Sequence, residues 1–540
     1  MIRLHQLKLS PAEAAALDKP LCRRLAAERL GVPIADVTAA DVSRRSVDAR
    51  GRGEVRFTLT LDVRLTSAKA EAALAKRFRP NEAALVPETE AEAARRDVFT
   101  LEAAPYPAGR PRPVVVGAGP AGLFCALGLA ARGARPLLLE RGRPVEARAR
   151  DIAALEANGA LDPESNVLFG EGGAGAYSDG KLTCGLSDPH IRVVLRTLVT
   201  LGAPEDILIS ARPHIGTDLL RGVLVRARER LTALGGEVLF GHRADALTLR
   251  NGAVAGVRAV AGGAAVFIQT DAAYLAIGHS ARDTYAWLQT LGVPMEAKPF
   301  AVGVRVEHPQ AMIDASQYGR MAGAAGLPPA EYKLNVPTPD GRGAYTFCMC
   351  PGGRVINASS EPGLLNVNGM SLHARDGDNA NAALLVGVRP SDFGSDDPLA
   401  GIRWQRQIEQ TAFSQFGGYR APCQRVGDFL AGRASTGFGG VRPTYLPGAE
   451  PGDVAACLPD FVTGDLRLAL PRFGASLRGF DFADALLTAP ETRSSSPVRL
   501  LRDARRQSAL PGLYPLGEGA GYAGGIVSAA VDGLKAALDA

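Results

Sequence analysis

The chain opens with a short stretch in which strand-like and helix-like patterns of apolar residues follow one another. Residues 1–66 predict a small α+β unit, with a strand at 2–9, a helix at 20–30 and further strands near 42–47 and 54–65. Residues 69–112 are rich in Ala and Glu and then in Pro, which predicts a helix followed by an extended linker. We therefore expect an N-terminal domain that ends near residue 105.

The pattern changes twice after this linker. From residue 113 to about 287, short apolar strands alternate with helical stretches, as is typical of a parallel sheet with crossover helices. Residues 299–470 instead show strands with alternating positions and many Gly and Pro turns, which predicts an inserted β-rich domain. The last segment, 512–540, returns to a strand, a Gly-rich loop and a helix.

The first strand after the linker leads into a glycine motif. The apolar residues 113–116 are followed by GAGPAG at 117–122 and by a helical run to residue 131. Gly117 permits the tight turn, Gly119 lets backbone amides approach a pyrophosphate, and Gly122 lets the helix pack on the strand. A dinucleotide is the expected ligand. The candidate contacts in this motif are Gly117, Gly119, Pro120, Ala121 and Gly122.

An acidic residue stands where such a motif requires one. The next strand, 136–139, ends in Glu140, which follows Gly117 by about 20 residues, the spacing of an acid that binds the adenosine ribose. A carboxylate here disfavours a 2′-phosphate on that ribose. We add Arg141, the next residue, to the candidate cofactor contacts.

The end of the chain identifies the class of dinucleotide. A strand at 513–516 leads into GEGAGYAGG at 517–525 and a helix at 526–538, and this arrangement resembles flavoproteins of the glutathione-reductase-like class. In that class an acid after the late strand binds the flavin ribityl chain, and the next helix points its N-terminus at the flavin. The resemblance implies these roles for Glu518 and for Gly524, Gly525 and Ile526, although Asp is the usual acid.

Four further segments extend the resemblance to most of residues 113–540. FGEGGAGAYSDGKL at 169–182, KPFAVGVRVEHP at 298–309, YTFCMCPGG at 345–353 and ETRSSSPVRL at 491–500 are similar to a bacterial family of uncharacterised FAD-dependent dehydrogenases. The resemblance implies noncovalently bound FAD, an inserted substrate domain and a redox role with an unidentified substrate. Further candidate FAD contacts are Gly172, Gly173, Gly175, Ser178, Lys181 and, after the strand at 274–277, Gly278.

Together these patterns predict an α/β fold with a Rossmann-like FAD-binding domain. We expect that domain in two parts, 106–298 and 481–540, around an inserted β-rich α+β substrate domain at 299–480. A small N-terminal α+β domain with its linker occupies 1–105. No second strand, glycine motif and helix follows in the insert, so NAD(P)H is expected only as a transient reductant.

Composition and charge exclude several classes of protein and of binding partner. With 46% hydrophobic and 22% charged residues in 540, collagen-like, disordered and coiled-coil classes are excluded. The net charge of +5 is a mild excess without a basic stripe, so we expect no nucleic-acid partner. Seven scattered cysteines, no secretory signal and no membrane span predict a cytoplasmic protein.

Several residues with reactive side chains are assigned structural roles. Cys348 and Cys350 are preferably interpreted as buried thiols, since in a strand their Cα atoms lie about 6.6 Å apart, at the long end of disulfide geometry. A redox dithiol stays open as the alternative, because a turn at Pro351-Gly352-Gly353 could bring the two sulfur atoms together. His279 and His373 are interpreted as loop histidines, and the solvent-facing interpretation is preferred for Arg305 and Glu307. The spacing of Cys and His predicts no metal site. We name no catalytic residue.

The function that fits these observations is an FAD-dependent oxidoreductase acting on an unidentified small molecule. Two alternatives stay open at this point. The basic N-terminal domain is compatible with an RNA-binding or RNA-modifying flavoprotein, and a flavin bound without turnover would make the chain a redox sensor. The substrate, the choice between NADH and NADPH, and the oligomeric state are not determined by the sequence.

Overall fold

A computed structural model describes residues 1–50 and 54–540 of the chain. Its N-terminal part is a four-stranded antiparallel sheet of β1 (Ile2–Leu9), β2 (Val37–Asp48), β3 (Arg56–Leu65) and β4 (Ala83–Leu85), in the order β2-β3-β1-β4. Alternate residues of β3 are buried, as the period of a half-buried strand requires. The accompanying helices are α1 (Pro11–Ala15), α2 (Lys19–Leu30), α3 (Ala68–Ala75) and α4 (Glu88–Ala93).

This N-terminal sheet takes in part of the segment predicted as a linker. Strand β4 lies inside residues 69–112, where the sequence predicted a helix and an extended chain. Three residues are too few to produce a readable strand pattern, and β4 exists because it pairs with β1. The linker without regular structure is therefore shorter than expected.

The central sheet is parallel throughout. It consists of β5 (Val114–Val116), β6 (Leu137–Glu140), β7 (Glu237–Phe240), β11 (Ala273–Leu275) and β23 (Leu513–Pro515), in the order β23-β11-β5-β6-β7. Its helices are α5 (Pro120–Ala131), α6 (Val145–Asn158), α7 (His190–Thr200), α8 (Thr217–Ala233), α9 (Arg282–Thr290) and α14 (Ile526–Asp539). The last strand and helix thus return to the sheet from the far end of the chain.

The two faces of this sheet are covered by different elements. Val115, Leu138 and Tyr274 pack with α5, α7, α8 and α14 in one core. The neighbouring residues of the same strands point to the other face of the sheet. There they pack against α9 and a three-stranded antiparallel sheet of β8 (His242–Arg250), β9 (Ala253–Ala261) and β10 (Ala264–Gln269). Because both faces are buried, the short strands are continuously apolar, as the sequence indicated.

Residues 295–500 contribute a mixed seven-stranded sheet. Its order is β14-β15-β18-β13-β21-β19-β20, from β13 (Phe300–Pro309), β14 (Asn335–Val336), β15 (Ala344–Cys350), β18 (Asn379–Val388), β19 (Ala421–Arg425), β20 (Ala449–Pro451) and β21 (Leu486–Glu491). Smaller pairs are β16 (Arg354–Asn357) with β17 (Val367–Met370), and β12 (Met295–Ala297) with β22 (Val498–Leu500). The helices are α10 (Gln310–Tyr318), α11 (Ala400–Gln415), α12 (Val426–Leu430) and α13 (Asp460–Ser476).

The solvent-facing interpretation of Arg305 and Glu307 is wrong. Both side chains are fully buried, because β13 is an inner strand and the face opposite its valines is covered as well. Arg305 lies 2.7 Å from the Glu491 carboxylate and donates to Asn368 on β17 at 2.9 Å. Glu307 accepts a hydrogen bond from Thr444 at 2.5 Å.

The described chain thus combines mixed α/β content with a parallel sheet, as predicted; the domain boundaries stay predictions. Over residues 1–50 and 54–540, no helix is both long and apolar enough to cross a membrane.

Candidate functional site

A cavity of about 620 Å³ opens at the carboxyl ends of the parallel strands. This size falls within the usual range of about 300–1,000 Å³ for small-molecule and cofactor sites. One side, which we call the parallel-sheet side, is formed by loops that follow β5, β6, β11 and β23. The other, the mixed-sheet side, is formed by residues 331–333, 346–349, 368, 491, 493 and 494.

Three glycine-containing segments from distant parts of the chain meet in this cavity. A Cβ atom on Gly173 would lie 3.1 Å from the Cα atom of Gly119. A Cβ atom on Gly175 would lie 3.1 Å from Cγ1 of Ile526. The segments near residues 119, 174 and 525 are therefore neighbours, and all three line the cavity.

The 117–122 motif has the local geometry that its glycines predict. Gly117 has φ +99°, and a Cβ there would lie 2.4 Å from the carbonyl oxygen of Ala276. A Cβ on Gly122 would lie 1.8 Å from the carbonyl oxygen of Gly117, so Gly122 serves packing and does not line the cavity. Helix α5 begins at Pro120, and its unpaired first amides, together with the helix dipole, favour an anion.

Glu140 connects two of the loops and also faces the cavity. Its carboxylate accepts hydrogen bonds from the backbone N–H groups of Ala118 at 2.8 Å, Gly142 at 2.9 Å and Gly170 at 2.9 Å. A carboxylate has about four acceptor positions, so capacity is left for a hydroxyl group in the cavity. Glu140 therefore holds the two loops in place and presents an acceptor at the cavity.

Arg141 lines the cavity with its guanidinium held in place. The group lies 4.2 Å from the centre of the Phe169 ring and is paired with Glu164 at 2.7 Å and Asp283 at 3.0 Å. Residues 242–244 of β8 also line this end of the cavity. Sequence reasoning missed them, because β8 belongs to the small antiparallel sheet and carries no motif.

Some glycines of the turn at 170–175 line the cavity, and others pack against neighbouring elements. Gly173 and Gly175 line the cavity, whereas Gly172, predicted as a flavin or phosphate contact, faces Leu224, whose Cδ1 would lie 2.3 Å from a Cβ. The left-handed φ of +84° at Gly172 brings its backbone against α8, and its role as a cofactor contact stays a prediction. Arg148, which the sequence did not single out, holds the loop by donating to the carbonyl oxygens of Asn166, Val167 and Glu171 at 2.7–2.8 Å.

Ser178 and Lys181 lie at the cavity, both engaged with other groups. The Ser178 hydroxyl donates to the carbonyl oxygen of Gly175 at 2.9 Å. The Lys181 ammonium contacts the carboxylate of Asp179, which also pairs with Arg375. Burial opposes ionisation of Asp179, but Lys181 and Arg375 outweigh it and hold the pKa of Asp179 at about 2. This ion cluster fixes the position of the lysine.

The loop after β11 and the loop after β23 bring His279 and Glu518 together. Nε2 of His279 lies 3.9 Å from the Glu518 carboxylate. Burial lowers the pKa of His279 to about 3, with further lowering from Arg493 and Arg282. Burial raises the pKa of Glu518 to about 7, against the opposing charge of Lys298. A neutral imidazole thus lies beside a carboxyl group that can hold a proton near neutral pH.

The remaining predicted contacts border the same region. Gly278 has φ +68°, and Gly524 and Gly525 have open space beside their Cα atoms. Helix α14 begins at Ile526 with its first turn at the cavity. Two helix N-termini, those of α5 and α14, therefore face one cavity.

Arg493 and His373 have polar side chains that are engaged by other groups of the protein. Arg493 lines the cavity, but its guanidinium is held by Glu409 at 2.7 Å and by Ser360 at 2.6 Å. His373 stacks on His214 with ring centres 5.3 Å apart, so its interpretation as a bonded loop histidine fits the structure.

Comparison with known proteins gives a family and a full-length relative. Residues 299–494 match a family model described as FAD-dependent protein, C-terminal domain-like, and residues 1–64 match a domain of unknown function. An uncharacterised protein of Clostridium beijerinckii is 43% identical over 540 residues, which cover 99% of this chain and 98% of the relative.

Solved structures with a local likeness have low overall similarity. The quinol fumarate reductase subunit FrdA of E. coli is 13% identical, with 79% of this chain and 69% of that chain covered and a TM-score of 0.35. The 3-ketosteroid-delta4-(5alpha)-dehydrogenase of Rhodococcus jostii RHA1 is 13% identical, with 82% and 98% covered and a TM-score of 0.33. These likenesses say nothing about the reaction of the present chain.

Proposed function

The chain belongs to an uncharacterised family of FAD-dependent proteins, and from this premise we propose that it is an oxidoreductase with noncovalently bound FAD. The observation that carries the proposal is the meeting of residues 117–121, 173–175 and 524–526 around one cavity. These segments supply glycine backbone and two helix N-termini, which are the groups that bind a dinucleotide. The proposed substrate is a small molecule of unidentified class.

The arrangement of the cavity fits FAD along its length. The pyrophosphate would be held by Gly119, Pro120 and Ala121 at the start of α5, and the adenosine ribose by the free acceptor capacity of Glu140. Arg141 and residues 242–244 would border the adenine. Glu518 would accept hydroxyl groups of the ribityl chain, and Gly524 to Ile526 would lie at the flavin.

When bound, FAD supplies the capacity to accept a hydride or an electron pair. The chain positions and protects this chemistry. The N-terminus of α14 favours negative charge at its end of the cavity. Glu518, whose pKa is about 7, can hold or release a proton beside the neutral imidazole of His279. Tyr285 fixes the loop that carries Glu518 by donating to the carbonyl oxygen of Gly519 at 2.6 Å.

NAD(P)H is proposed only as a transient reductant. The mixed-sheet side supplies Tyr332, Lys333 and Phe347 at the cavity, and a substrate or a nicotinamide would approach past these residues. Anaerobic reduction of the bound flavin by NADH and by NADPH in parallel tests this role. Bleaching of the flavin by neither nucleotide would contradict it.

The decisive test of the proposed function is FAD uptake by Gly119→Asp. Gly119 is the N-cap of α5, with φ −73° and no atom within 3.8 Å of an added Cβ, so the helix tolerates Asp there. The new carboxylate would repel the pyrophosphate and compete for the helix amides. We expect FAD affinity to fall about 100-fold, since each lost charge-assisted hydrogen bond costs about 1.5–3 kcal/mol.

The matched control is Gly185→Asp, at an exposed glycine with nothing within 4 Å of a Cβ and away from the cavity. Flavin fluorescence on titration of the cofactor-free chain measures both affinities. Wild-type chain that is folded but colourless and takes up no FAD would refute the proposed function. Equal affinity in the two variants would remove the 117–121 loop from the binding site.

A further inference from the structure

Two cysteines in β15 stand at the cavity in an irregular segment of the strand. Cys348 has φ +42°, a left-handed conformation that is uncommon for residues other than glycine. The register between β15 and β18 shifts between Phe347 and Cys350. The regular strand spacing of about 6.6 Å between alternate Cα atoms therefore does not apply to Cys348 and Cys350. The geometric objection to a bond between their sulfur atoms is removed.

The two thiols differ in their access to the cavity. Cys348 is half-buried and lines the cavity, whereas Cys350 is fully buried behind it. The Cys350 thiol donates to the carbonyl oxygen of Cys348 at 3.3 Å. This arrangement, one accessible sulfur with a second directly behind it, is typical of an attacking and a resolving thiol.

Two buried cations lie against the same segment. Arg305 donates to the carbonyl oxygen of Cys348 at 2.9 Å, and the Lys181 ammonium contacts the carbonyl oxygen of Met349. Cations beside a cysteine favour its thiolate, which is the reactive form. A hydrogen bond from the Cys350 thiol to the Cys348 sulfur, followed by the charges of Arg305 and Lys181, outweighs burial and lowers the pKa of Cys348 to about 6. The same hydrogen bond and burial raise the pKa of Cys350.

The other cysteines of the described chain lack this setting. Cys184 is half-buried but outside the cavity, and the remaining four are buried in the cores, namely Cys22, Cys125, Cys423 and Cys457. Cys348, in contrast, borders the cavity together with Gly278, Glu518 and Ile526. Under the proposed function this is the region of the flavin.

We propose that Cys348 and Cys350 form a redox-active dithiol that exchanges two electrons with the bound FAD. The inference rests on the proposed function, since FAD is the electron acceptor. In the oxidative direction two S–H bonds break, one S–S bond forms, and two electrons with two protons pass to oxidised FAD, giving the disulfide and FADH2. The reverse step returns both electrons and both protons to the sulfur atoms.

Anaerobic reductive titration of the FAD-loaded full chain tests the exchange. FAD content is measured first, from the absorbance of the flavin released by denaturation, and the chain is then oxidised with diamide and titrated with dithionite. Full reduction should take about four electrons per FAD in the wild-type chain, two for each two-electron couple. Cys348→Ser and Cys350→Ala should each lower this to about two, while Cys184→Ser stays at four. A wild-type value of two with FAD bound overturns the proposal.

Mass spectrometry of the cofactor-free chain provides a readout independent of the flavin. After diamide treatment and alkylation, the peptide with residues 348–350 should carry no alkyl group in the wild-type chain, and two after reduction. Two alkylated thiols after diamide would overturn the proposal even if FAD binds. A chain that forms the disulfide but takes up no FAD would instead contradict the proposed function, so the two failures are distinguishable.

Discussion

The two sides of the cavity are built from different kinds of groups. The parallel-sheet side presents mainly backbone, through glycines and the first turns of α5 and α14. The mixed-sheet side is supported by buried charged side chains, among them Arg305 with Glu491 and Arg493 with Glu409. Glu409 also pairs with Arg282 of α9, which packs on the parallel sheet. Backbone amides suit a ligand of fixed chemistry such as a dinucleotide. Buried charged side chains depend on their partners, so the mixed-sheet side should be the more sensitive to the loss of a single charge.

The largest effect is expected from the charge cluster of the mixed-sheet side. Glu409 is fully buried, lies 2.8 Å from Arg282 and 2.7 Å from Arg493, and has a pKa that these arginines hold well below its usual range despite the opposing effect of burial. Glu409→Gln removes the carboxylate that both guanidinium groups share and leaves them with Glu361, which lies 2.7 Å from Arg282 and 3.7 Å from Arg493. We expect a loss of about 3–5 kcal/mol in the free energy of unfolding, measured by urea denaturation.

The control for this substitution is Glu296→Gln, in an exposed pair with Arg499 at 3.1 Å. Exposed pairs contribute at most about 1 kcal/mol, so this variant should remain close to the wild type. Similar losses in the two variants would show that the buried cluster is not the distinguishing support of the mixed-sheet side.

On the parallel-sheet side, the sharpest substitution is Gly122→Ala. The added Cβ would lie 1.8 Å from the carbonyl oxygen of Gly117, a backbone atom that can move only if the whole turn moves. We expect a loss of about 1–3 kcal/mol in stability, as for overpacking in a core, together with weaker FAD binding. Urea denaturation and flavin titration measure the two effects.

Gly464→Ala is the matched control, because Gly464 also lies inside a helix but has nothing within 4 Å of a Cβ. This variant should gain about 0.5–1 kcal/mol from the higher helix propensity of Ala. If Gly122→Ala shows the same gain, close packing does not explain the glycine at position 122.

An effect no larger than that of Gly122→Ala concerns the dependence of stability on pH. The pKa of Glu518 is raised to about 7 in the folded chain, mainly by burial, so the folded chain binds more protons than the unfolded chain between about pH 4.5 and 7. Its contribution to stability is therefore complete below about pH 4.5 and is lost as the pH rises through 7. Glu518→Gln should reduce the fall in stability between pH 4.5 and 8 by about 1–3 kcal/mol.

Urea denaturation of the cofactor-free chain at several pH values measures this difference. Comparison with the wild type is essential, because the pKa of Glu171 and that of Glu491 are also raised to about 7 by burial. The same pH dependence in the wild type and in Glu518→Gln would contradict the prediction.

The residues of the parallel-sheet side could be predicted from the sequence more easily than those of the mixed-sheet side. Gly117, Gly122 and Glu140 were readable because a strand, a turn and a helix within one short segment impose the residue types. The sequence did not show that Gly172 packs against Leu224, because a glycine beside a ligand and a glycine beside a side chain look the same in the sequence. The FAD contacts themselves stay predictions on both sides.

Arg305 and Cys348 show why the mixed-sheet side was not readable. A polar residue in an alternating strand indicates solvent unless something covers that face, and here β17 covers Arg305. The shift of register at Cys348 depends on pairing with β18, which lies more than 30 residues further along the chain. The residues next to these positions determine neither which element buries the strand face nor the register with the paired strand.

The amino-acid sequence by itself determined the α/β class, the alternation of buried strands and helices, the glycine turns and the acid at the end of β6, because each leaves a pattern within a short segment of the chain. The tertiary structure alone decided that three distant glycine segments share one cavity, which glycines face it, and that Cys348 borders it beside buried cations, with Cys350 behind. These features depend on how separate elements pack against each other, and packing at a distance leaves no local pattern to read.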